Sequence, residues 1–103
     1  MSTKQKLENL EKKVLTHAKA ILWELHKDFI NSLAIVKYPL MNKIVSFDTL
    51  AARVTEDILG INQDNFSNAL ELVRNILEQN LHELNNYITE HKLRVRIGGI
   101  DLF

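Results

Sequence analysis

Residues 62–91 read NQDNFSNALELVRNILEQNLHELNNYITEH. Apolar side chains recur along this stretch every three or four residues: Phe66, Ala69, Leu70, Val73, Ile76, Leu77, Leu81, Leu84, Tyr87 and Ile88. On an α-helix these fall on one side, with Glu71, Arg74, Glu78, His82, Asn85 and Thr89 on the other. The spacing predicts a long amphipathic helix from Asn62–Asp64 to about His91, which needs an apolar surface to lie against. Two polar residues, Asn80 and His91, interrupt the apolar side. For Asn80 two readings stand level: a buried amide that sets the register of paired helices, or a side chain bonded to its own helix. His91 reads as a helix-end residue turned toward solvent.

The opposing surface comes from the start of the chain. Leu7, Val14, Ala18, Ile21, Leu22, Leu25, Phe29, Leu33 and Val36 keep helical spacing from about Ser2 to Val36. Ser2 and Gln5 have the spacing of a capping box, and Pro39 disfavours helix at Tyr38. Between the two long helices, Leu50, Ala51, Val54 and Ile58 predict a short one over Asp48–Leu59. Ser46 or Asp48 can cap it, and Gly60 suits the position just beyond its end.

After His91 the period changes to two. Leu93, Val95 and Ile97 alternate with Arg94 and Arg96, and Gly98-Gly99 reads as a hairpin turn. Closing there pairs Ile97 with Ile100, Arg96 with Asp101 and Val95 with Leu102. A lone hairpin is marginal in water, so it needs the helices or another strand, and KIVSF at 43–47 is apolar and β-branched enough to supply one. Residues 1–103 are therefore expected to form one mainly α domain. It comprises two long antiparallel helices and a short middle helix, with a small β-hairpin at 93–103 that borders on α+β.

Composition narrows the functional classes. The chain has 103 residues, 46% of them hydrophobic and 25% charged, with formal net charge zero. Such a balance gives no overall attraction to nucleic acid or anionic lipid. Charge is nevertheless divided: residues 1–43 carry eight Lys against four acids, and residues 44–91 carry two Arg against eight acids. A basic first third and an acidic middle can attract each other, within one chain or between two. Cysteine is absent, which removes thiolate chemistry and disulfides. MSTKQKLENLEKK lacks a signal-peptide apolar core, and no apolar run reaches the roughly 20 residues of a membrane span. The expectation is a cytoplasmic protein.

Catalytic inventory is thin. No serine sits in a nucleophile motif, and three glycines in total make a phosphate-cradling loop implausible. His17, Glu24 and Asp28 line up along the first helix, and Glu78 and His82 are four apart on the third. The Glu-x-x-His pairs of carboxylate-bridged bundles are missing. Neither an enzyme, a metal site nor a bound cofactor is expected. The order short helix, GINQ turn, long helix and RVRIGGIDLF hairpin resembles a winged helix-turn-helix, which implies a DNA-binding transcriptional regulator with Lys92, Arg94 and Arg96 on the backbone. Three features depart from that pattern. The would-be recognition helix is acidic, it is too long, and its wing begins some twenty residues too late.

Partner docking is the favoured reading. From Ala20 onward the first helix turns apolar on a second side, where Trp23, Ile30 and Ala34 project away from Leu25 and Phe29, with Lys27 beside them. A helix apolar on two sides must be covered on two sides, and only one other long helix is available. The expected role is a protein–protein interaction module, most simply a homodimer through the first helix, with a second protein as the other possible partner.

Overall fold

The computed structural model describes residues 3–33, 42–60 and 63–99. Along them run α1 (Thr3–Leu33), β1 (Lys43–Ser46), α2 (Phe47–Leu59), α3 (Gln63–Gln79), α4 (Leu81–Glu90) and β2 (Val95–Gly98). The chain is mainly helical, with a small two-stranded sheet. Its core gathers the stripes read from the sequence: Val14, Ala18, Ile21 and Leu22 of α1, Leu50, Ala51 and Val54 of α2, Val73 and Leu77 of α3, and Leu84 of α4. Val45, Leu93 and Val95 close it from the sheet side.

Local chemistry sets the ends of α2. Ser46 is the N-cap, its Oγ accepting from the Thr49 N–H at 3.0 Å, so Ser46 rather than Asp48 starts the helix. At the other end Gly60 takes φ 71° and donates its N–H to Glu56 O at 2.7 Å. The proposed cap at Ser2 and the α1 stop before Pro39 lie outside the described residues.

Two expectations are corrected. The long second helix is divided at Asn80, which adopts φ −115° and ψ 18° between α3 and α4. Its side-chain Nδ2 donates to Ile76 O at 2.8 Å, and its backbone N–H is shared between Ile76 O and Leu77 O. Asparagine amides compete with the helical ladder in this way, and here the competition relaxes one residue out of helical geometry. The local-bond reading of Asn80 is thus the one the structure shows.

The second correction concerns the tail. Gly98 is not a turn residue but the last residue of β2, and β2 pairs parallel with β1 in the register Lys43↔Val95 to Ser46↔Gly98. Primed hairpin turns need a positive φ at the first glycine, and of Gly98 and Gly99 it is Gly99 that has one. Gly98 is small for another reason: a Cβ there would lie 2.8 Å from the Ile44 Cγ2. The strand at 43–47 foreseen as extra support is therefore the tail's sheet partner. The expected second arm, with its Arg96–Asp101 pair, lies outside the described residues. Parallel pairing requires a crossover, and α2, α3 and α4 supply it.

Candidate functional site

The indole of Trp23 lies at the seam of α1, α4 and the tail. It is partly buried, packed against the core cluster, and meets two imidazoles edge-on: His26 at 5.7 Å and His91 at 5.8 Å between ring centroids. His91 caps α4, stacks at a tilt on Tyr87 (4.1 Å) and places its Nδ1 3.0 Å from Tyr87 O. Lys27 Nζ lies 5.9 Å from the indole centroid, and Lys19 Nζ lies 5.3 Å from the Tyr87 ring. Ile30, two turns beyond Trp23 on the same side of α1, is 39% exposed. The stripe Trp23–Lys27–Ile30 is thus a ridge, apolar at its centre and cationic at its edge. Ala34, which continues it in sequence, lies outside the described residues.

His26 was not singled out by sequence, yet it ties the tail to α1. Its Nδ1 accepts the Arg94 backbone N–H at 2.8 Å, across 68 residues of sequence. The Arg94 side chain in turn donates from Nε to Asn42 Oδ1 at 3.2 Å. Of the three residues placed on a nucleic-acid backbone, Arg94 is therefore held against the fold, while Lys92 and Arg96 are exposed. Lys92 occupies a left-handed turn at φ 53°. The line His17–Glu24–Asp28 does not converge on a point: Glu24 pairs with Arg53 at 3.3 Å. Among the described residues no three His, Asp or Glu side chains come together to hold a metal ion.

A second surface, at the other end of α1, escaped the sequence reading. Leu10 of α1, Ile58 and Leu59 of α2, and Ala69, Leu72 and Val73 of α3 line an apolar groove of about 150 Å³. Leu59 and Leu72 are 45% and 41% exposed, and Leu7, one turn before Leu10, is 53% exposed. Leu59 and Leu72 fall off the stripes assigned to their helices, and that displacement was the available signal.

No protein family, curated protein or solved structure matches the chain. Among the described residues no helix is long and apolar enough to cross a membrane.

Proposed function

We propose that this chain is a non-enzymatic protein–protein interaction module, an adaptor, assembly subunit or regulator that works by docking apolar helical surface and is dimeric through its first helix. One observation carries the reading. Among the described residues the buried apolar side chains of α1 lie between Val14 and Leu22, while Leu7 and Ile30 on either side of that span stand 53% and 39% exposed. Large apolar side chains so placed lower the free energy of a complex that covers them. On the Ile30 side, Trp23 and Lys27 add an aromatic anchor and a cation, residue types suited to the centre and rim of an interface.

Affinity capture from an extract of the protein's own cells tests this, comparing wild type with Trp23→Glu and Ile30→Glu. At least one protein retained by wild type should be lost from both variants. Identical captures by all three, or nothing above background with wild type, would remove the reading.

A further inference from the structure

The two imidazoles that meet Trp23 edge-on make opposite demands on their protons. His91 Nδ1 lies 3.0 Å from the Tyr87 carbonyl oxygen, which can only accept. That nitrogen must hold a proton, and it does so in the neutral Nδ1–H tautomer and in the cation alike. His26 Nδ1 meets the Arg94 backbone N–H at 2.8 Å, which can only donate, so there the nitrogen must be bare. An imidazolium carries N–H on both nitrogens, and turning the ring over does not restore an acceptor. One added proton therefore preserves the His91 bond and abolishes the His26 bond.

The groups around His26 do not offset that loss. On α1 its neighbours are Trp23 and Ile30, with Lys27 next in the chain and its Nζ 5.9 Å from the indole centroid. The tail brings the Arg94 backbone, with the Arg94 Nε donating to Asn42 Oδ1, and β1 brings the Lys43 N–H, which donates to Arg94 O at 2.8 Å. From the end of α4, His91 shares the indole, and Lys19 lies over the Tyr87 ring on which His91 stacks. The nearby acids are placed elsewhere: Glu24 pairs with Arg53, Glu83 with Lys19, and Asp28 borders a cleft with Leu25, Phe29 and Lys43. Among the described residues no carboxylate forms an ion pair with His26. We propose that His26 is an acid-opened latch: neutral, it fastens the entry of β2 to α1, and protonated, it lets go. The opening is local, because Leu93 and Val95 stay buried in the core and β2 stays paired with β1. The device goes beyond the interaction-module reading and operates in the isolated chain.

Amide hydrogen exchange and ¹⁵N–¹H spectra of the full chain, followed from about pH 8 to about pH 5, span the interval in which an imidazole changes charge. As the His26 ring gains its second N–H, the protection factor of the Arg94 amide should fall about tenfold, while those of Leu22 and Leu77 hold. His26→Gln, whose side-chain carbonyl accepts at every pH, should keep Arg94 protected throughout, and His91→Gln should leave the fall in place. If His26→Gln fails to fold, the wild-type spectra decide alone, since the Arg94 amide shift must follow the His26 ring and not the His91 ring. A His26 ring that stays neutral to about pH 5 overturns the proposal, as does an Arg94 amide that stays protected beside a charged ring. So does a fall that persists in His26→Gln, one abolished in His91→Gln, or one shared by Leu22 and Leu77, which would be acid unfolding of the whole chain.

Discussion

The His26 ring faces Trp23 edge-on while its Nδ1 accepts the Arg94 N–H. A nitrogen that accepts from an amide carries a lone pair, so the ring must be neutral and hold its proton on Nε2. Long-range ¹⁵N–¹H correlation spectra at neutral pH should show that tautomer for His26. Replacing His26 by Phe keeps a ring against Trp23 but strands a partly buried amide, at a cost of about 1–3 kcal/mol. His26→Gln, whose side-chain carbonyl can accept, should recover part of that loss in urea unfolding. Equal losses in both variants would mean that ring packing, not the hydrogen bond, carries the effect. The same scale explains Asn80. Its amide competes for the Ile76 carbonyl, which turns one long helix into α3 and α4.

At the scale of elements, the end of α4 is decided by a residue poorly suited to its place. Lys92 N–H donates to Thr89 O and Leu93 N–H to Ile88 O, the pair of bonds that closes a helix around a left-handed residue. That residue is usually glycine, and here it is Lys92 at φ 53°. A left-handed conformation costs a side-chain-bearing residue roughly 1–2 kcal/mol, partly offset by the extra freedom glycine has when unfolded. Lys92→Gly should therefore raise stability, by up to about 1 kcal/mol, seen as a higher urea midpoint with an unchanged slope. An unchanged or lower midpoint would show the turn to be unstrained. The turn matters because it delivers Leu93 to the core and aims β2 at β1, where Gly98 passes beneath the Ile44 methyl.

Over the whole molecule, α1 acts as a spine whose middle is buried and whose flanks are less so. Leu77 of α3 is fully buried against that middle, whereas Leu7 stands more than half exposed. Leu77→Ala should cost about 2–5 kcal/mol through lost burial and the cavity left behind. Leu7→Ala, measured on dilute monomer, should stay within about 0.5 kcal/mol. Urea unfolding distinguishes them, and comparable losses would place Leu7 inside the monomer's core. The charge division follows the same geometry, with lysines on the first turns of the spine and acids on α2 and α3.

What the sequence determined by itself was periodic or local. The helical stripes, a cap at Ser46 or Asp48, the Gly60 stop and the β character of 43–46 and 95–97 depend on spacing or on neighbours within a turn, and periodicity records those directly. Tertiary structure decided the rest. A glycine kept for a positive φ and one kept to clear a neighbour's methyl are identical in sequence, so Gly98 read as a turn until Ile44 lay over it. The bond from Arg94 to His26 joins residues 68 apart, and no local pattern encodes which ring will meet which amide. Leu7, Leu59 and Leu72 are ordinary apolar residues until packing brings two of them to the rim of one groove and leaves all three uncovered. Exposure is a property of the assembled helices, and only their packing could assign it.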